Sequence, residues 1–388
     1  MLPLTGVKVV EIANNVAGPY AGFILAALGA DVLKVERPGG GDDARGWGPP
    51  FWRGTSATFQ ALNVNKRGVT LDLKQAAGVV RLKAILSEAD VLVHNLRPGV
   101  LEGLGLGSAA LAALNERLVY CAISAFGASG PLQASVGYEP IVQAFAGLFS
   151  INGYPDRPGA RMGTSVLDLG SATWAALGCI AGLLQRERSG RGCVVDTSLL
   201  ETALGLLTVH FARFQASGKV PERHPSGSLA VVIFEAFETA DGQVIVAAAN
   251  DRLFAKFASE VGHPEWIEDI RYKTNADRHA NKAALLTEVR AIMRRETSAT
   301  WVARLEKAGV PCSAINDLPA MRAHPQTEAL GMVQPVPEID LSLLSLPLSL
   351  DGDRPGIRTR APQLGEHNAE LDAPWPRQAK IDRQNPEG

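Results

Sequence analysis

The stretch 7–36 constrains this chain more than any other, because it reads as strand, helix and strand with almost no spare residues between them. Residues 7–13 (VKVVEIA) are β-branched and alternating, 17–28 (AGPYAGFILAAL) form an Ala-, Leu- and Gly-rich helical run that ends at Gly29, and 31–36 (DVLKVE) alternate again. Two strands joined through a helix run parallel, with a right-handed crossover. The period continues: strands are expected at 69–73, 91–95 and 118–124, and helices at 76–88 and 109–115. This alternation specifies an α/β fold with a doubly wound, Rossmann-like sheet.

From Tyr138 onward the pattern changes to long helices, expected at 168–187 and 198–215, the second after a strand-like 193–196. Residues 218–228 (GKVPERHPSGS) are rich in breakers and read as a linker. A hairpin follows, 234–239 and 243–248 around Ala240-Asp241-Gly242, then amphipathic runs at 252–261, 282–295 and 298–308. A chain of 388 residues exceeds the roughly 250–300 that one core sustains, so at least two domains are expected. The divisions fall at 1–215 for a large α/β domain, 216–228 for the linker, 229–316 for a small α+β domain and 317–388 for a C-terminal segment without periodicity, whose polar tail 377–388 is expected to fray.

Charge and composition narrow the partners. The 38 Lys+Arg against 40 Asp+Glu give a net charge of −2, which supplies no global field for nucleic acid or an anionic membrane. No leader pattern opens the chain, no uninterrupted apolar run reaches bilayer length, and the expected compartment is the cytoplasm. Cys121, Cys179, Cys193 and Cys312 are widely spaced in apolar sequence and read as buried thiols, and the seven histidines show no ligand spacing, so no metal site is expected.

The chain lacks G-x-x-x-x-G-K-[ST], H-E-x-x-H and G-x-S-x-G. The run Gly39-Gly40-Gly41 admits two readings, a turn or a phosphate-facing loop; a dinucleotide fingerprint belongs after the first strand, where Asn14-Asn15-Val16-Ala17-Gly18-Pro19 stands. Arg37, Lys66, Arg67 and Arg97 follow expected strands, where a doubly wound sheet opens its ligand crevice, and together point to an anionic ligand or, alternatively, to solvated surface charge. Asp168, with apolar neighbours before it and a long helix after it, fits either an N-cap or a carboxylate nucleophile.

The motifs, taken in order, resemble the class III CoA-transferases, a family that includes formyl-CoA:oxalate and carnitine CoA-transferases and, more distantly, the α-methylacyl-CoA racemases. The likeness covers residues 4–371: Ala17-Gly18-Pro19, then 28–38 (LGADVLKVERP) and Gly41-Asp42, then 63–67 (NVNKR) with 71–74 (LDLK), then 95–99 (NLRPG), Gly190-Arg191-Gly192 with Val195-Asp196, and 364–367 (LGEH). Each is weak alone, but their order is specific. The resemblance implies that Asp168 attacks an acyl-CoA thioester, giving a mixed anhydride, and later carries CoA as an aspartyl thioester. It implies no prosthetic group, coenzyme A entering as acyl-CoA substrate beside a small carboxylic acid. It further implies that Arg37, Lys66, Asn95, Leu96, Arg97, Val16 and Ala17 contact CoA, and that Asn14, Asn15, Trp47, Tyr138 and Glu139 line the acid pocket. The assembly implied is a homodimer of two interlocked rings, each closed by the C-terminal segment returning to the large domain.

Departures from the family pattern narrow the reading. Gly103 stands where many relatives have an arginine, and Ser124 near a lysine position, so two phosphate contacts are missing. Residues 137–139 read Gly-Tyr-Glu, without the acid/base histidine of the racemases, and 224–232 (HPSGSLAVV) lacks the glycine-rich flap of the formyl-CoA enzyme. The expected activity is CoA transfer from a short acyl-CoA such as succinyl-CoA; the alternatives are a 2-methylacyl-CoA epimerase with Asp168 as proton shuttle, or an acyl-CoA-binding homologue without turnover.

Overall fold

A computed structural model describes residues 1–372 and Trp375; the polar tail expected at 377–388 lies outside the described residues. The chain divides into two compact units, one built from residues 1–146, 162–208 and the segment from 326 onward, the other from 147–161 and 209–325. The second unit is therefore larger than the small domain expected at 229–316.

The main sheet of the first unit has six strands: β1 (Lys8–Ile12), β2 (Asp31–Glu36), β3 (Lys66–Thr70), β4 (Val91–His94), β5 (Val119–Ser124) and β6 (Val194–Ser198). Their spatial order is β3-β2-β1-β4-β5-β6, and every neighbouring pair is parallel. This is the doubly wound order, with its reversal between β1 and β4. Alternation along β1 shows why both faces are covered. Val9 joins one core with Val32, Val91, Val93 and Val119, beneath α1 (Ala17–Ala27) and a long helix at Val166–Ser189. Val10 joins the opposite core with Leu33, Val69 and Leu92, against the Leu82, Ile85 and Leu86 of Ala76–Leu86. Each fully buried Val or Leu contributes roughly 1.5–3 kcal/mol.

The helices used below are α1, α2 (Ala57–Asn63), α3 (Ala76–Leu86), α4 (Glu139–Phe145), α5 (Val166–Ser189) and α6 (Leu199–Leu206). Helix α5 stops at Gly190, whose φ of 73° only glycine adopts without cost. By length and composition it would suffice to cross a membrane, contrary to the sequence expectation. Its Leu167, Ala172, Ala175, Ala176 and Cys179 are nevertheless buried against α1 and the sheet, as in a core helix.

Two other elements differ from expectation. Strand β3 starts at Lys66, three residues before the expected 69. The helix expected at 198–215 is two helices, α6 and Thr208–Ser217. Gly205 weakens the helix there, and the Thr208 hydroxyl takes its carbonyl at 2.6 Å.

The C-terminal segment lies along β3. The His367 ring Nδ1 accepts the Gly68 N–H at 3.1 Å, the Asn368 Oδ1 accepts the Thr70 N–H at 2.8 Å, and Arg67 pairs with Glu370 at 2.6 Å.

In the second unit, β7 (Phe234–Glu238), β8 (Gln243–Ala247) and β9 (Cys312–Ala314) form an antiparallel sheet of order β9-β8-β7. Helices Asp251–Glu260, Lys282–Met293 and Ser298–Ala308 pack Phe254, Phe257, Leu285, Val289 and Trp301 into its core. The first and third begin on side-chain caps from Asn250 and Thr297.

Candidate active site

All six strands of the main sheet point the same way, so the loops that leave their carboxyl ends gather on one edge, and the crevice opens where β1 and β4 diverge. Asn14, Asn15 and Val16 follow β1, and Asn95 and Leu96 follow β4. The Asn95 carboxamide bridges the fork: its Oδ1 accepts the Asn14 N–H at 2.9 Å and its Nδ2 donates to the Asn14 carbonyl at 2.7 Å. Asn15 sits in the left-handed region at φ 68° and gives its N–H to Asp42 at 2.9 Å. Ala17 and Gly18 then open α1, whose cap position, Val16, offers no side-chain acceptor. The structure therefore brings together Asn14, Asn15, Val16, Ala17, Asn95 and Leu96.

The loop after β2 adds Arg37, exposed and paired with Asp43. Arg45 is pinned by two bonds to Glu36, at 2.8 and 2.6 Å, and lies over the Phe59 ring at 3.8 Å, leaving the adjacent Trp47 partly exposed. Arg97, beyond β4, is exposed.

Lys66 and Arg67 are not where the sequence expectation put them. Lys66 aligns with Val32 and Arg67 with Leu33, so both lie at the amino-terminal half of β3, away from the crevice edge. The Lys66 side chain is fully buried; its ammonium forms an ion pair with Glu11 Oε2 at 2.7 Å and donates to the Pro19 carbonyl at 2.7 Å and to Asn63 Oδ1 at 2.9 Å. Three protein oxygens surround the buried ammonium, which therefore does not face a phosphate in the crevice. Arg67 binds Asp31 at 2.9 and 2.7 Å as well as Glu370. Lys74, within the 71–74 motif, is an exposed cation just past the carboxyl end of β3.

Asp168 is not an N-cap. Helix α5 begins at Val166, the cap position is Ser165, and Asp168 is the third helical residue, half-buried in the first turn. Because α5 leads into the start of β6 it runs antiparallel to that strand, so its N-terminus, with Asp168, lies at the carboxyl edge of the sheet. Small residues shape its contact with α1, among them Ala172, Ala175 and Ala176 beside Ala17 and Ala21.

A second tie reaches the approach to α5. Tyr138 caps α4 by position and is exposed, whereas Glu139 is buried. Gln143 donates to Glu139 Oε1 at 2.5 Å and accepts the Met162 N–H at 3.0 Å, which fixes the chain six residues ahead of Asp168. Gln143 was not singled out in the sequence; its only signal is helical spacing of four from Glu139. Ser124, near a missing phosphate contact, accepts the Gly127 N–H at 3.0 Å, and Gly103 faces open space.

The profile of CoA-transferase family III matches residues 4–368. The chain belongs to this family. Its relatives include the succinyl-CoA:glutarate CoA-transferase of Mus musculus, 35% identical over 89% of this chain and 80% of that one. Another is the acetyl-CoA:oxalate CoA-transferase of Acetobacter aceti, 34% identical over 95% of both chains. Among solved structures, a CAIB/BAIF family protein from Brucella suis superposes with a TM-score of 0.86 at 34% identity, covering 96% of this chain and 100% of that one. The family III assignment agrees with the motif order, and the protein is a CoA-transferase that uses CoA thioesters and carboxylates as substrates.

Proposed function

We propose that this family III enzyme moves CoA from a short acyl-CoA, succinyl-CoA or one of similar size, to a small carboxylic acid, with Asp168 as covalent nucleophile. The observation that carries the reading is the position of Asp168, in the first turn of α5 at the carboxyl edge of a doubly wound sheet. Succinyl-CoA as donor is supported by the mouse relative's name and by a Chloroflexus aurantiacus relative named succinyl-CoA–D-citramalate CoA-transferase.

In the proposed sequence an Asp168 oxygen attacks the thioester carbonyl, the C–S bond of the tetrahedral adduct breaks, and CoA departs as thiolate, giving a mixed anhydride of Asp168 and the donor acid. The thiolate then attacks the Asp168 carbonyl carbon and releases the donor acid as carboxylate, leaving an aspartyl-CoA thioester. The acceptor carboxylate attacks that thioester and frees CoA thiolate again, which attacks the acceptor's acyl carbon and restores Asp168. Electrons balance without an oxidant or metal, and each tetrahedral oxyanion requires N–H donors. Anhydride and thioester both hydrolyse readily, so water must be kept out while the acids exchange. Arg37 and Arg97 are the proposed phosphate partners, Val16, Ala17, Asn95 and Leu96 the CoA wall, and Asn14, Asn15, Trp47, Tyr138 and Glu139 the acid pocket.

A homodimer, interlocked as the family resemblance implies, is part of the proposal. Trp174, Leu177 and Leu184 form an exposed apolar stripe on the outer face of α5, and helix Thr208–Ser217 buries none of its residues. A second copy covering these faces predicts a solution mass of twice 41.1 kDa by light scattering.

The test of the chemistry is trapping. Incubation with succinyl-CoA followed by hydroxylamine is expected to convert Asp168 to a hydroxamate detected by peptide mass spectrometry, and Asp168→Asn to lose exchange by at least about 10³-fold while retaining CoA binding. An unmodified Asp168 under turnover with a panel of thioesters overturns the covalent role.

A further inference from the structure

Beneath the loop that follows β1 lies a closed network of buried charge. Glu11, Lys34, Asp42 and Lys66 have fully buried side chains. Glu11 gives one carboxylate oxygen to each lysine, at 2.8 Å to Lys34 and 2.7 Å to Lys66. Lys34 also donates to the Ala13 carbonyl at 2.8 Å and contacts Asp42 at 2.9 Å, so each ammonium meets three oxygens. Asp42 in turn accepts the N–H groups of Asn15 and Ala44, and its own N–H binds Glu36, the partner of Arg45. Three acids and three bases are thereby paired.

Taking each ion out of water costs several kcal/mol, returned only if every donor and acceptor is filled. What the network grips is informative. Lys34 holds the carbonyl of Ala13, Lys66 that of Pro19, and Asp42 the N–H of Asn15, so it fixes main-chain atoms at both ends and the middle of residues 13–19. The fold also reserves room for it: a Cβ on Gly22 of α1 would stand 1.9 Å from Glu11 Oε2.

We infer that Lys66 is a positioning residue of the transferase: its protonated ammonium, acting with Lys34 and Asp42, holds residues 13–19 in the shape that presents Asn14, Asn15 and Val16 at the strand fork. The inference rests on the reading of those residues as a wall of the reaction site. An ammonium has three N–H donors for the three oxygens around it, whereas a neutral amine has two, so on deprotonation one oxygen faces a lone pair. The charged groups facing Lys66 are Glu11 from β1, Lys34 from β2 and Asp42 from the loop after β2; α1 and α2 contribute only the uncharged Pro19 carbonyl and Asn63 carboxamide. Burial lowers the Lys66 pKa, Glu11 opposes the fall and Lys34 adds to it, giving a value of about 8.

Two measurements test this. The first is kcat and KM for the native enzyme and for Lys66→Arg, which stays charged, between pH 6.5 and 9.5 with the same substrates. In the native enzyme kcat is expected to fall about tenfold per unit above pH about 8; in Lys66→Arg, slower overall, that limb is expected to be absent. Global unfolding through Lys66 does not produce the limb. Its folded pKa lies below the unfolded value of 10.5, so its contribution to stability rises between pH about 8 and 10.5. The second needs no variant: hydrogen–deuterium exchange of the native protein, corrected for intrinsic rates, is expected to lose protection at Asn15 and Tyr20 at alkaline pD while α5 keeps its own. Unchanged protection in that loop, or an alkaline limb preserved in a folded Lys66→Arg, overturns the clamp. Lost protection with no kcat limb overturns instead the placement of the reaction site at this loop.

Discussion

Asn95 and Asn14 exchange two hydrogen bonds across the fork between β4 and β1, the Asn95 carboxamide serving the Asn14 N–H and C=O at once. A side chain here does what a further rung of the ladder would do, at the point where the strands part and no rung exists. Asn95→Asp keeps the acceptor for the Asn14 N–H but sets a carboxylate oxygen against the Asn14 carbonyl. At pH 7 the variant is expected to lose about 2 kcal/mol, the scale of a broken pair left unsatisfied. The carboxyl then binds its proton more tightly in the folded state than in the unfolded one, so stability is regained as pH falls toward 5. Urea midpoints at the two pH values check the sign.

Arg67 and Glu370 tie β3 to the C-terminal segment, and Asp31 completes the group, also accepting the Trp375 indole N–H at 2.9 Å. Arg67→Met is expected to cost about 3–5 kcal/mol, because two carboxylates are left facing one another without their shared cation. The KM for acyl-CoA is expected to stay within about twofold, since Arg67 stands away from the crevice edge. A tenfold rise in KM in the folded variant would return Arg67 to the ligand.

The contrast between expected and observed β3 shows what a sequence makes legible. Strands β1 and β2 and helix α1 follow from local alternation and from Gly29, all within about thirty residues. Strand β3 appears three residues late in the sequence because Lys66 and Arg67 read as ligand-facing or solvated surface charge, and their partners Glu11, Asp31 and Glu370 are 36 to 303 residues distant. Asp168 is similar: its residue type and setting identify it as unusual, but whether it caps α5 or rides in the first turn depends on where the helix starts, which Ser165 and Val166 do not announce. Gln143 was invisible because its partner, Met162, is joined through a main-chain N–H that every residue but proline has.

Gly103 faces open space at the end of the short helix Val100–Gly103, beyond the β4 edge of the crevice. Restoring the arginine implied by the family pattern is therefore expected to be tolerated, changing stability by no more than about 0.5 kcal/mol. One exposed charge-assisted phosphate contact contributes about 1 kcal/mol, so Gly103→Arg is expected to lower KM for acyl-CoA about fivefold. Gly103→Gln serves as the uncharged control. The gain should shrink in 0.5 M salt, where a screening length of a few ångströms removes exposed attraction; a gain shared by Gln, or insensitive to salt, would assign it to packing.

His94 ends β4 with its ring buried edge-on against Tyr120, centroids 5.1 Å apart, one residue before the Asn95 that closes the fork. Burial lowers its pKa to about 4, with Glu102 opposing the fall. The folded value lies below the unfolded one of 6.5, so between pH 6.5 and 4 the unfolded chain binds a proton that the folded chain refuses, and stability drops as the solution is acidified. From pH 7 to pH 5 the loss assigned to this residue is about 2 kcal/mol. His94→Leu, which cannot protonate, is expected to flatten the acid limb by that amount when urea midpoints of both proteins are compared at pH 7 and 5, whatever the packing change costs at neutral pH. Because the difference of differences cancels the packing term, equal acid sensitivity in the two proteins would show that the His94 ring accepts its proton in the folded state, and that the end of β4 opens to water before the sheet does.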